Sequence, residues 1–344
     1  RPALPPLLVS PLRRGGTRHM RSAGAAVWRD VFAAVTVAVA ALGEAAPRRY
    51  DEREALTAAY LATAAYCGEP RTSRAALEAW RCGPACKHVS GVHSVRQVLA
   101  DSRWAEAAAY VGWWHRRCLV AFRGTADKTE WFEDLRSGWH ADPATRGINC
   151  SHGNSSCSVG SGWLAAYGAV RDYVRGNLTA IGCHPGSEIV FTGHSLGGAT
   201  AQLAMFDLHA QGYRVHRSYV FGSPRVGDTM WAAAFKERLG ATPVYRVTFR
   251  RDPVPHLPPV AFGFADTPVE VFYHGNMSQG YHECDGSHHW HNCSSQYTSL
   301  SELIRECVER IHDCDHLQYM RAVKQIPMSG ASCVDDTPSI EVHV

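Results

Sequence analysis

The sequence predicts an α/β fold: a mostly parallel central sheet with helices on both faces. Three observations predict it. Short apolar runs at 118–122, 189–191, 219–221 and 244–249 alternate with longer stretches whose apolar residues recur at helical spacing, which is the rhythm of β-α-β units. The run Ile189-Val190-Phe191 passes through Gly193-His194-Ser195-Leu196-Gly197-Gly198 into the helix-forming residues 199–208, a strand, tight turn and helix in immediate succession. And with 344 residues and 45% hydrophobic content, the chain is long enough for one large core.

Composition limits the partners and the compartment. Net charge is +3, with 35 Lys and Arg against 32 Asp and Glu, and only Lys87, Lys128, Lys236 and Lys324 among the cations are Lys. No long basic run occurs, which argues against nucleic acid as the main partner. Twelve cysteines, an even count in a chain too long to need disulfides merely to fold, point to an oxidising compartment. The asparagines agree: Asn149, Asn154, Asn177, Asn276 and Asn292 are the whole complement, and each begins an N-x-S/T acceptor sequence. Cys occupies the middle position after Asn149 and Asn292.

From the N-terminus, residues 1–19 are Pro- and Arg-rich without periodicity and read as an upstream extension, with Met20 as the start. Arg21 and Arg29, the twelve apolar-rich residues 31–42 and the small Ala45-Ala46 make 20–46 a signal peptide, with an uncleaved anchor as the competing reading. Twelve residues are short for a membrane span. Residues 50–335 form the expected domain and 336–344 a tail. The domain opens with a helix over 51–66, with Leu56, Tyr60 and Ala64 on one face. Cys82 and Cys86 read as a local disulfide rather than a zinc site. Strands follow at 109–113 and 118–122. Residues 126–135 then place Trp131, Phe132 and Leu135 on one side of a short helix suited to a mobile lid, although a helix packed permanently on the core has the same pattern. Cys150 and Cys157 bracket a polar hairpin. A helix over 162–175 turns Leu164, Tyr167, Val170 and Val174 inward. After the 189–208 unit come a strand and turn at 219–227, a helix at 230–239 and a strand at 244–249. Residues 274–293 hold His274, His282, His288, His289 and His291 with Cys284 and Cys293; their spacing fits no common ligand set, and a Cys284–Cys293 disulfide is expected instead of a metal. The last helix, 300–313, carries Cys307, expected to pair with Cys314.

Chemistry gathers at the ends of the predicted strands. Gly193 and Gly197 leave room for a sharp turn that exposes the Ser195 hydroxyl, a nucleophile elbow with His194 inside it; this is the arrangement of the α/β-hydrolase fold. An ordinary Gly-rich turn is the bland alternative, and the flanking strand and helix disfavour it. Arg123-Gly124-Thr125, ending a buried strand, can offer an N–H and an O–H to a developing oxyanion, with the Leu196 N–H as the other half. Asp252 follows the 244–249 strand in a loop stiffened by Pro253 and Pro255, where a carboxylate can orient a histidine; a helix cap or a loop salt bridge to Arg250 or Arg251 is the alternative. In the order Ser, Asp, His the third member lies downstream, with His312, His316 and the five loop histidines as candidates.

Several motifs in order and spacing resemble the class 3 lipases, a family that includes secreted fungal triacylglycerol lipases and feruloyl esterases. They are Ala65-Tyr66-Cys67-Gly68, Ala121-Phe122-Arg123-Gly124-Thr125 with Trp131 beyond it, the Phe191–Gly198 elbow, 221–227, 252–259 and His316-Leu317-Gln318-Tyr319. The resemblance covers about residues 50–335. It implies His316 as the triad histidine, Thr125 as an oxyanion residue, the Trp131 segment as a lid, a bond from Cys67 to a C-terminal cysteine for which Cys333 is the candidate, and an acyl hydrolase without cofactor or metal. This chain departs in having Gly160 where the family often has His, two residues before Gly162-Trp163, and in its His-rich insertion and Cys307–Cys314 pair.

The expected protein is thus a secreted or secretory-lumen serine ester hydrolase, first of all a triacylglycerol lipase. Its expected partner is a lipid ester at an interface, with transient contact to a membrane or lipid-droplet surface. A feruloyl-type esterase, a phospholipase on the same triad, and a non-catalytic binding protein of this fold are the alternatives.

Overall fold

A computed structural model describes residues 49–68, 73–100, 107–125, 140–267, 269–284, 292–297, 299–310, 314–320 and 333. Eight strands run in spatial order equal to sequence order: β1 (Val92–Leu99), β2 (Ala108–Trp114), β3 (Arg117–Phe122), β4 (Glu188–His194), β5 (Ser218–Phe221), β6 (Val244–Phe249), β7 (Glu270–Tyr273) and β8 (His282–Cys284). Pairing is parallel from β3 through β7. It is antiparallel at β1–β2–β3 and at β7–β8. A two-residue strand, Arg214–Val215, adds to β4.

The parallel centre is apolar on both faces because helices cover both. Along β4, Ile189 and Phe191 enter one core cluster while Val190 enters another on the opposite face; such strands read as continuous apolar runs rather than alternations. The first face carries α2 (Ser161–Ala180), α3 (Leu196–Ala210) and α4 (Thr229–Leu239). The other carries α1 (Glu52–Ala64). A fifth helix, α5 (Leu300–Glu309), follows the β8 edge.

The α1 contact corrects the expected Leu56-Tyr60-Ala64 stripe. Leu56 and Tyr60 are only partly buried, and the core face is made of Ala55, Ala58, Ala59, Ala62 and their neighbours. Small side chains bring this helix so close to the sheet that the Thr192 hydroxyl on β4 donates to the Ala58 carbonyl, 3.1 Å away. The Asp51 side chain caps the helix by accepting from the Arg53 and Glu54 N–H groups. Across the sheet, α3 is clamped to α2. Asp207 accepts from the Tyr167 hydroxyl and, through both oxygens, from Arg171 at 2.7 and 2.8 Å, a fixed bidentate geometry. These two contacts hold β4 and α3, between which the elbow lies.

Six disulfides are present: Cys67–Cys333, Cys82–Cys86, Cys118–Cys183, Cys150–Cys157, Cys284–Cys293 and Cys307–Cys314. Cys118–Cys183, which ties β3 to the segment after α2, had no signal in local spacing. The strands β1, β7 and β8 were not anticipated either. In β1 the register shifts between His93 and Arg96, a bulge that breaks the alternation by which an edge strand is read. Gly160 opens α2, and a side chain there would run into the Trp163 ring; the Trp163 indole donates instead to the Val226 carbonyl at 2.7 Å.

Candidate active site

Ser195 stands between the last residue of β4 and the first of α3, with φ of 59° and ψ of −131°. An L-residue with positive φ is strained, and a serine held there is held by its surroundings. The Ser195 N–H donates to the Phe221 carbonyl of β5 at 2.9 Å. A Cβ on Gly193 would strike the Gly197 carbonyl, and one on Gly197 the Phe122 carbonyl of β3, so both elbow glycines are required by close backbone approach. The 123–125 turn also lies against the nucleophile: a Cβ on Gly124 would come 3.1 Å from that of Ser195. Thr125 follows, half-buried, and Leu196 begins α3. Trp131, Phe132 and Leu135 lie outside the described residues.

Asp252 sits just past β6 and is 2% exposed; His316, in the short turn Asp315–Leu317, is also 2% exposed. The His316 Nδ1–H donates to both Asp252 oxygens, at 2.9 and 3.0 Å. With Nδ1 carrying the proton toward Asp252, Nε2 is the ring nitrogen that can take one from a nucleophile. Two more donors hold the carboxylate: the Val254 N–H at 2.8 Å and the Tyr319 hydroxyl. Burial, and then the Asp252 charge, push the Tyr319 phenol well above its usual pKa, so it stays a proton donor. The salt bridge weighed for Asp252 does not form. Asp315 takes Arg250 at 3.7 Å, and Glu302 and Glu306 take Arg251. The Arg251 N–H also donates to Asp315 at 3.2 Å, which binds the Asp252 turn to the His316 turn.

His194 joins the two halves. Its ring lies 4.5 Å from that of His316. Its Nε2–H donates to the His316 carbonyl, and its Nδ1 accepts from the Tyr66 hydroxyl, both at 2.8 Å. Burial, with His316 beside it, depresses the His194 pKa well below 6.5, so the ring is neutral and its tautomer is set by these partners. The sequence motifs contained Tyr66, His194 and Tyr319 but assigned none of them these contacts, because each pairs with a residue more than sixty positions away.

The other histidines fall elsewhere. At the β8 edge the His274 ring lies 4.9 Å from that of His282 and 4.5 Å from that of Phe272, while His288, His289, His291 and His312 are outside the described residues. Glu270 lies near the sulfurs of Cys284 and Cys293, but those sulfurs are bonded to each other, and Glu270 accepts from the Thr248 hydroxyl at 2.6 Å.

A parallel sheet with helices on both faces and a serine at positive φ between β4 and α3 define an α/β-hydrolase. The solved lipase of Rhizopus microsporus var. chinensis superposes with a TM-score of 0.61 at 26% identity, covering 84% of this chain and 91% of that one. A family model described as "Lipase (class 3)" matches residues 119–262. The secreted mono- and diacylglycerol lipase 1 of Fusarium solani is 33% identical over 161 residues, covering 46% of this chain and 45% of its own. The Rhizomucor miehei lipase is 31% identical over 207 residues, covering 58% and 51% respectively. The chain spans about half the length of these two relatives. Over these residues the chain is similar to the class 3 lipase family.

Proposed function

We propose that this protein hydrolyses the acyl esters of lipids, triacylglycerol foremost, through a covalent acyl-enzyme. The observation that carries the reading is the buried Asp252–His316 pair, joined through His194 to the strained Ser195. In the proposed reaction His316 Nε2 takes the Ser195 proton as the hydroxyl oxygen attacks the ester carbonyl carbon. Asp252 holds Nδ1–H and stabilises the imidazolium. The N–H of Leu196 and the main chain or hydroxyl of Thr125 receive the oxyanion, each donor contributing about 3 kcal/mol to lowering the barrier. Collapse of the tetrahedral intermediate expels the glyceride alcohol, which takes the proton from His316. Water, deprotonated by His316, then attacks the acyl carbon and releases the fatty acid and Ser195.

Tyr66 and His194 act as positioning residues: they hold the His316 main chain by its carbonyl and leave its ring free to shuttle protons. Trp131, Phe132 and Leu135 belong in this reading to a lid that opens at a lipid surface. Residues 20–46 act as a signal peptide, delivering the domain beginning near residue 50 to the secretory pathway. The relatives named as secreted lipases and six disulfides support that destination.

The test is hydrolysis of a trioleoylglycerol emulsion beside soluble short-chain esters and phospholipids, by the secreted protein and its Ser195→Ala variant. Turnover of the emulsion by the first alone is expected. Turnover confined to soluble esters, with no rise in rate at an interface, overturns the lipase reading.

A further inference from the structure

Every asparagine of the chain, Asn149, Asn154, Asn177, Asn276 and Asn292, has Ser or Thr two positions later. Ser and Thr together fill about one position in eight, so chance would produce the full set with odds on the order of 10⁻⁵, and the pattern calls for a use. The chemistry it names is N-glycosylation. The Asn Nδ2 bonds to C1 of a sugar and gives up one proton, while the C1–O bond to a lipid-linked pyrophosphate breaks and the pyrophosphate leaves with the electron pair. The fold sorts the five acceptors into two groups.

Three are open. Asn154 occupies the tip of the hairpin that pairs 151–152 with 155–156, and every residue from Ser151 to Ser156 is exposed. Gly153 beside it has a φ of 57°, and a Cβ built there meets nothing within 4 Å, so a bulky sugar has room. In Asn276-Met277-Ser278, Asn276 and Ser278 are exposed, and the Ser278 hydroxyl donates to the Asn276 side-chain oxygen at 2.6 Å. That bond engages Oδ1 rather than the Nδ2 that would carry the sugar, and it already brings the two acceptor groups together. Asn177 stands in the last turn of α2. Its amide donates one hydrogen to the Tyr173 carbonyl at 2.9 Å, but an amide nitrogen carries two, and Gly176 and Thr179 on the same turn are exposed.

The other two have a cysteine at the middle position, and both cysteines are bonded through short loops. Cys150–Cys157 spans 7 positions and Cys284–Cys293 spans 9. Such loops close at small entropic cost, and once closed they hold the middle of the acceptor against the protein. Cys150 and Cys293 are 9% and 7% exposed. The Cys150 carbonyl accepts from the Cys157 N–H at 3.2 Å, and the Ser294 N–H donates to Glu270 at 3.4 Å. Asn149 and Asn292 are themselves exposed; what withholds them is a main chain that cannot swing out to present Asn and Ser together. Leu178, the middle residue of the Asn177 acceptor, is buried as well, but by helix packing, which opens and closes where a covalent bond does not.

We propose that Asn154, Asn177 and Asn276 carry N-linked glycans, and that the Cys150–Cys157 and Cys284–Cys293 bonds keep Asn149 and Asn292 bare by closing before the sugar is transferred. The inference rests on the proposed delivery to the secretory pathway and is independent of ester hydrolysis. Asn149 and Asn154 supply an internal comparison, since they stand on either side of Cys150 and only the first has it inside its acceptor.

The experiment expresses the full chain in a eukaryotic cell and maps glycans by mass spectrometry of its peptides, before and after an amidase that converts each glycosylated Asn to Asp. Occupancy of Asn154, Asn177 and Asn276 is expected, with Asn149 and Asn292 bare. Cys157→Ser leaves the Asn149 acceptor intact while removing its bond, and should raise occupancy there from near zero to that of Asn154. Cys284→Ser should do the same at Asn292. Cys307→Ser opens a disulfide with no acceptor beside it and should add no glycan. Peptides are taken from the intracellular chain, so a variant that fails to fold and leave the cell still reports. Glycan on Asn149 or Asn292 in the parental chain, or no gain there in the cysteine variants, overturns the control by disulfides. A bare Asn154, Asn177 or Asn276 removes that site. A wholly bare chain recovered outside the cell with its disulfides formed overturns the glycans while the proposed destination stands, and a bare chain kept in the cytosol with free thiols overturns both.

Discussion

Two regions meet at the centre of the molecule, and each presents a buried imidazole to the other. His316, on the turn after α5, faces the Asp252 carboxylate; His194, at the elbow, faces the Tyr66 hydroxyl and a main-chain carbonyl. Both rings are almost fully buried, at 2% and 1% exposure. Burial disfavours the protonated ring of His194. What differs is the partner: an anion opposite Nδ1 compensates the charge of an imidazolium, whereas neutral partners do not. In the proposed mechanism the first is therefore the shuttle and the second a neutral spacer that sets where the shuttle stands.

The comparison breaks most severely if the anion is removed. Asp252→Asn should lower kcat on a soluble ester by about 10⁴-fold with little change in the thermal transition, since the amide favours the wrong His316 tautomer. Next in size is His194→Leu, which leaves the Tyr66 hydroxyl and the His316 carbonyl buried without this partner. It should cost about 2–4 kcal/mol of stability by denaturant titration, whereas His194→Gln, able to donate and accept along the same line, should retain most of it. Tyr319→Phe removes one of three donors from Asp252 and should reduce kcat/KM about tenfold, or about 1.4 kcal/mol, while KM for a soluble ester hardly moves.

The smallest effect is the pH dependence of stability. The folded pKa of His194 lies below 6.5, so the unfolded chain binds the proton more readily. The stabilisation is complete above pH 6.5 and is lost as the pH falls below that value toward the folded pKa. His256 adds to the same slope through burial and the nearby Arg225. Denaturant titrations from pH 7.5 to 5 should therefore show falling stability, and His194→Gln should flatten the slope. A slope unchanged by that substitution would remove His194 from the account.

Much of this architecture was legible locally. The strand at 244–249 has the expected limits, and the elbow follows from glycines spaced about one serine between a strand and a helix. Asp252 was readable because a carboxylate just beyond a strand, fenced by prolines, is a local pattern. The choice of His316 over His312 was not: it came from a resemblance, since neither residue's neighbours say which ring will reach a carboxylate sixty-four positions earlier. The edge strands and the Cys118–Cys183 bond escaped for a related reason. A bulge hides alternation in β1, and a bond across 65 positions has no short-range signature.

The sequence alone thus determined the alternation of strands and helices, and a serine in a turn too tight for a side chain two residues to either side of it. These depend on backbone sterics and on apolar spacing within a few residues. Only the tertiary structure decided which histidine meets the carboxylate, and that Tyr66 and His194 bridge the elbow to the His316 turn. Those outcomes depend on which segments the sheet order and the packing of α1 and α3 bring together, and a hydrogen bond forms only between groups that the whole fold has placed within reach.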